Sequence, residues 1–106
     1  MVKKPNILVV QADQLTALCL SAYGKPLAKT PNIDKIAAHG TVFLNTYCNS
    51  PVCGPSRAGM MTGRIPSEVG VYDNAGEFLS SEPTFAHYLR ALGYQTTLCG
   101  KMHFVG

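Results

Sequence analysis

A chain of 106 residues allows one domain at most, and at 46% hydrophobic and 14% charged it has the make-up of a globular protein, not of a disordered tail. The net charge of +3 comes from nine Lys and Arg against six Asp and Glu, and apart from Lys3 and Lys4 the basic residues are scattered, which excludes a nucleic-acid stripe. The apolar run Ile7-Leu8-Val9-Val10 ends at Gln11, too short for a signal core or a membrane span, so the cytoplasm is the expected compartment.

In that compartment Cys19, Cys48, Cys53 and Cys99 are expected as free thiols, not as a disulfide framework. Their spacings of 29, 5 and 46 fit no zinc pattern.

Residues 6–11 are β-rich and continuously apolar, the pattern of a parallel strand buried on both faces. Asp13 and Gln14 stand where the chain leaves it. Residues 15–29 contain Tyr23-Gly24-Lys25-Pro26 and read as an irregular connection. The next segment, 30–40, is predicted as a helix. Thr30 can cap it, Pro31 suits its first position, and Gly40 can end it in the left-handed conformation. Ile33, Ile36 and Ala37 would form its apolar face. A short strand is predicted over 41–45. A loop through Ser50 to Arg57 then feeds a short helix that Gly63 ends. Residues 65–82 read as loop. Pro83-Thr84 opens a helix over 85–92, with Phe85, Tyr88, Leu89 and Leu92 on one face and Gly93 at its end. A third strand is predicted over 94–99, and Gly100-Lys101-Met102-His103 leaves it. The order strand, helix, strand, helix, helix, strand favours an α/β sheet with covering helices.

Cys53-Gly54-Pro55-Ser56-Arg57 is the sharpest chemical signal. A cysteine before a helix is commonly a packed thiol, and an arginine there is commonly solvated. At a helix N-terminus, however, the backbone field favours an anion. Arg57 lies about one helical turn on and can pair with it. With Ala58 and Thr62-Gly63-Arg64 behind it, the run resembles the Cys-x-Pro-x-Arg signature of type I sulfatases, in the alkaline-phosphatase-like superfamily. The resemblance implies that a formylglycine-generating enzyme oxidises Cys53 to formylglycine, which hydrates to a geminal diol. One hydroxyl attacks sulfur, and the second lets the hemiacetal collapse and expel sulfate.

The same resemblance gives Asp13 a role as a metal ligand, with the modified Cys53 as another. The family often has Asp-Asp here, where this chain has Ala12-Asp13. A single Asp followed by Gln, as in Asp13-Gln14, resembles the choline sulfatase and phosphonate monoester hydrolase branches. The oxygen donor implies a hard divalent cation, Ca²⁺ first and Mg²⁺ or Mn²⁺ after it. Standing alone, Asp13 would read as a turn-capping carboxylate.

Gly100-Lys101-Met102-His103 resembles the family's Gly-Lys-x-His element. In an extended segment Lys101 and His103 would share a face at the end of a strand, where open α/β sheets bind ligands. The resemblance implies that Lys101 holds sulfate oxygens and that His103 orients the diol or assists the leaving group. Val71-Tyr72-Asp73-Asn74-Ala75, Ser81-x-Pro83-Thr84 and Gly93-Tyr94 look most like the choline sulfatase branch, where Gln14 and Asn74 match polar positions lining the substrate pocket. Turn polarity is the competing reading of both.

The resemblance covers residues 5–106. It implies the N-terminal part of a sulfatase catalytic domain, residues 1–106, apparently incomplete, with an alkaline-phosphatase-like sheet between helices and further metal ligands beyond residue 106. The expected activity is hydrolysis of a small sulfate monoester, choline-O-sulfate by preference. The alternatives are a phosphonate monoester or phosphodiester hydrolase, and an inactive truncated binding fragment. Expected partners are the sulfate ester and the formylglycine-generating enzyme, with no nucleic acid and no membrane; a homo-oligomer of the complete protein stays open.

Overall fold

A computed structural model describes residues 4–24 and 27–104. Lys3 and the Lys25-Pro26 pair lie outside the described residues. The chain divides into two compact units, Met1–Thr46 and Tyr47–Gly106. No helix among the described residues is long and apolar enough to cross a membrane.

In the first unit the connection after Asp13 is built from two single 3-10 turns, Ala17–Cys19 and Ser21–Tyr23. The Thr16 hydroxyl accepts the Leu18 N–H at 3.4 Å at the head of the first. The Tyr23 hydroxyl donates to the Phe43 carbonyl at 2.9 Å. Helix α1, Pro31–His39, opens on proline as predicted. Its two ends differ from expectation. Thr30 makes no side-chain cap; its hydroxyl donates to the Asp34 carboxylate at 3.3 Å. Ser21 donates to the same carboxylate oxygen. An ionised carboxylate is the stronger acceptor, and it draws the hydroxyl away from the helix amides. Gly40 has φ −127°, extended and not left-handed.

The second unit carries α2, Cys53–Thr62, then α3, Pro66–Val69, and α4, Phe85–Ala91. Helix α2 begins at Cys53 itself, inside the Ser50–Arg57 stretch predicted as loop, with the Ser56 N–H donating to the Val52 carbonyl at 3.0 Å. Pro55 does not prevent this, because first-turn amides have no intrahelical partner to lose. Gly63 ends the helix in the left-handed region, φ 70°. Helix α3 falls in a stretch predicted as loop. It is one turn, too short for any apolar period, and is held by its ends: the Glu68 carboxylate accepts the Ile65 N–H at 3.4 Å, and the Gly70 N–H donates to the Pro66 carbonyl at 2.8 Å.

Helix α2 contacts both α3 and α4. The core of this unit is Ala58, Val69 and Val71, with Phe78 packed against it and the Phe104 ring 4.6 Å from Phe78. Arg64, just past α2, donates to the Glu82 carboxylate and to the Glu68 carbonyl, each at 2.7 Å. At an exposed site this fixes geometry more than it stabilises.

The sheet is the main departure. No strand forms among the described residues. The segments 6–11, 41–45 and 94–99 run without regular structure, and Leu8 and Val10 are 87% and 85% exposed. An apolar run fixes a preference for burial on both faces, but a strand exists only where neighbouring backbones complete its ladder.

Gly59 within α2 and Gly63 at its end are expected to fail differently on substitution. A Cβ at Gly63 meets nothing within 4 Å, so Gly63→Ala carries only the left-handed backbone cost, about 1–2 kcal/mol. A Cβ at Gly59 meets the Arg64 carbonyl at 3.0 Å and the Asn49 side chain. Urea denaturation of a double-mutant cycle checks the difference: Asn49→Ala recovers part of the Gly59→Ala loss and none of the Gly63→Ala loss.

Candidate functional site

Cys53 is the first residue of α2 and is half-buried. Behind it Gly54, Pro55, Arg57, Ala58 and Gly59 are all buried. The thiol therefore sits at the rim of a helix whose following turn is packed inward. The Lys101 ammonium approaches Cys53 Sγ at 3.8 Å. A cation thus faces the thiol at the positive end of the helix, a setting suited to an anion.

Arg57 is one turn on from Cys53 and only 4% exposed. Its guanidinium donates to the Lys101 backbone carbonyl at 2.7 Å. A buried cation needs such a partner, and this one ties α2 to the segment carrying Lys101 and His103. Arg57 is neither the solvated side chain of the competing reading nor turned toward solvent.

Lys101 and His103 do not share a face through strand pleating. The predicted strand over 94–99 does not form, Gly100 has φ 94° and His103 φ 59°. The residue whose ammonium faces Cys53 is the one whose backbone carbonyl takes the Arg57 bond. His103 is half-buried, and its Nδ1 is buried without a hydrogen-bond partner among the described residues. A left-handed histidine is uncommon and strained. It is followed by Phe104, whose ring against Phe78 anchors the segment to the core.

Asn74, expected to line the substrate pocket, places Oδ1 on the Gly54 N–H at 2.8 Å. Cys53, Arg57, Asn74 and Lys101 are thus joined in one set of contacts. Sequence reasoning named all four but not the links: Arg57 to a backbone carbonyl and Asn74 to a helix amide have no local signal.

Asp13 and Gln14 form a turn in the first unit, both exposed, with Gln14 at φ 55°. The sequence places them after an apolar run, and the structure keeps them at its end. Within neither unit do the described residues gather three His, Cys, Asp or Glu side chains that could hold a metal ion.

A family model described as sulfatase matches residues 5–105. The chain is 48% identical over 103 residues to a choline-sulfatase of Rhizobium meliloti, covering 97% of this chain and 20% of that protein. It is 42% identical to an N-acetylglucosamine-6-O-sulfatase of Bacteroides thetaiotaomicron, covering 97% of this chain and 18% of the relative. It is 41% identical to arylsulfatase A of Bos taurus, covering 93% of this chain and 21% of the relative. The chain thus spans about a fifth of the length of these curated relatives. The family match implies an alkaline-phosphatase-like α/β fold, of which the described residues form helices and no sheet.

Replacing Arg57 by Met keeps most of the buried stem and removes the donor to the Lys101 carbonyl. The expected loss is about 1.5–3 kcal/mol, the range for a hydrogen bond from a charged group, read by urea denaturation. Amide exchange over 100–104 should quicken in the same variant; unchanged exchange there would show that the guanidinium does not hold the segment.

Proposed function

The chain belongs to the sulfatase family, and we propose that it carries the nucleophile end of a sulfate monoester hydrolase, with choline-O-sulfate as the substrate. The observation that supports this most directly is Cys53 opening α2 with the Lys101 ammonium 3.8 Å from its sulfur. The 48% identity to a choline-sulfatase supports the choice of substrate.

In this reading a formylglycine-generating enzyme, with dioxygen as the oxidant, oxidises Cβ of Cys53 to an aldehyde as the sulfur departs, and water adds to give a geminal diol. One diol oxygen forms a bond to sulfur as the ester oxygen leaves with a proton. The other hydroxyl then gives up its proton, the carbon–oxygen double bond re-forms, and the bond between carbon and the sulfated oxygen breaks to release sulfate. Each of this chain's residues has a task in it. The Lys101 ammonium balances charge on the sulfate oxygens. Arg57 holds Lys101 in reach through its backbone. His103, with a buried ring nitrogen to offer, moves the proton between diol or leaving group and solvent. Gln14 contacts the substrate.

A divalent cation, Ca²⁺ by preference, belongs to the same proposal. Asp13 offers the hard oxygen such an ion takes, and Cys53 becomes an oxygen donor only once oxidised. These residues fit part of a ligand set, since Ca²⁺ takes roughly six to eight oxygens. When bound, the ion supplies positive charge beside the sulfate.

Intact-peptide mass spectrometry, after expression with the maturing enzyme, is expected to show Cys53 converted to formylglycine. An unmodified thiol in a protein that hydrolyses sulfate esters at full rate would sink the mechanism. Assays on choline-O-sulfate, an aryl sulfate and a phosphonate monoester should rank the first highest; a phosphonate preference would favour the related phosphonate monoester hydrolase activity.

Lys101→Ala and His103→Ala are each expected to lower turnover by about 10²–10³, the usual worth of a group aimed at developing charge. Both side chains lie at the surface or half-buried, so stability should change by less than about 1 kcal/mol. Turnover and melting measured on the same preparations check this, and a large melting loss with normal turnover would make the pair structural.

A further inference from the structure

We propose that Asn74 is a positioning residue for Cys53: it is the N-terminal cap of α2, supplied from 20 residues downstream, and it fixes the turn on which the reacting residue sits. The inference rests on Cys53 being the reacting residue proposed above.

Helix α2 cannot cap itself. Val52 stands at the capping position and has no side-chain acceptor; no side-chain cap forms there. The first-turn amides therefore need partners from elsewhere. Pro55 has no N–H, and the Ser56 N–H already reaches the Val52 carbonyl. The Gly54 N–H takes Asn74 Oδ1 at 2.8 Å. That is the bond a capping Asn or Asp normally makes from the cap position, two residues before the amide, here delivered across a tertiary contact.

The cap is itself firmly seated. Asp73 Oδ1 accepts the Ala75 N–H at 2.9 Å, and the Gly76 N–H reaches the Asp73 carbonyl at 3.4 Å, so 73–76 is a closed turn. Val71, two residues before it, is 2% exposed in the core shared with Ala58 of α2. Gly54 lets this turn lie directly on the helix: a Cβ there would stand 3.0 Å from the Asp73 carbonyl and 3.3 Å from Asn74 Oδ1. Helix and cap are thus held to one core on both sides of Cys53's neighbour. Without the cap the first turn frays, and the Cys53 side chain loses its fixed distance to Lys101. Misplacement of a reacting group by about 1 Å can cost about 10²-fold in rate.

The test compares purified wild-type protein with Asn74→Leu, Asn74→Asp and Gly54→Ala. In Asn74→Leu, kcat for sulfate ester hydrolysis is expected to fall about 10- to 100-fold with KM within about twofold, and Gly54 amide exchange to quicken about tenfold. Asn74→Asp keeps an acceptor and is expected to restore the slow Gly54 exchange. Gly54→Ala, which pushes the turn away from the opposite side, should repeat the kcat loss if Asn74→Leu does not fold. A raised KM at unchanged kcat would overturn the proposal in favour of a substrate contact. Lower melting with unchanged kcat and unchanged Gly54 exchange would reduce Asn74 to a structural role. If wild-type protein hydrolyses no sulfate ester, the proposed function fails by itself. The positioning role is then read on protein prepared without maturation, from Gly54 exchange and the alkylation rate of Cys53. Exposed Cys48 and Cys99 serve as internal standards. Faster Cys53 alkylation in Asn74→Leu supports it, and an unchanged rate overturns it.

Discussion

Arg57 reaches from the buried side of α2 to the backbone carbonyl of Lys101, 44 positions along the chain, and that bond ties the helix to the segment carrying Lys101 and His103. A guanidinium with 4% exposure has almost no water to solvate it. Its charge must be met by protein acceptors or the helix cannot stay packed. The Lys101 carbonyl belongs to a segment with no helix or strand of its own. Lys101 reaches the Cys53 thiol because its backbone is held, not because a regular element aims it there. Removing the guanidinium would leave the Lys101 carbonyl without that donor and the segment without this tie to α2.

The packing around α2 follows from the same need for close approach. Gly54 and Gly59 bring the Asp73 carbonyl and the Arg64 carbonyl each to 3.0 Å from where a Cβ would stand. Small residues on this face let Ala58 share a core with Val69 and Val71. Charged partners are kept at the rim, where Arg64 meets Glu82 and the Glu68 carbonyl. The helix that carries the thiol is consequently among the best-packed parts of a chain otherwise rich in exposed apolar residues such as Leu8, Val10 and Tyr47. A nucleophile benefits from such rigidity, because orientation is worth more to a reaction than added contact.

The chemistry proposed for the site draws on three separate pieces. Helix α2 supplies the residue to be oxidised and a positive field. The segment 100–104 supplies an ammonium and an imidazole with a buried nitrogen. The third piece is the turn at Asp13 and Gln14, in the first unit, of which Asp13 is the carboxylate proposed for the ion. Family membership links them in one reading, and within the second unit the thiol and the ammonium also meet in space.

Much of this was legible in the residues themselves. The order Cys53, Pro55, Arg57, with Gly100-Lys101-x-His103, indicated the family from the sequence alone, because both runs resemble that family's signatures. Pro31 and Gly63 marked a helix start and a helix end by fixed backbone preferences, which are local and so readable. The ends of α1 were not: Thr30 turned to Asp34, and Gly40 stayed extended, because a neighbouring carboxylate and the onward path of the chain decided them. Three strands were expected from apolar runs, and none forms among the described residues, since a ladder depends on partners that a run does not encode. The roles of Arg57 and Asn74 likewise needed tertiary structure. A sequence states which donors and acceptors exist; only the folded chain decides that a buried guanidinium meets the Lys101 carbonyl and that an amide oxygen from position 74 caps the helix bearing Cys53.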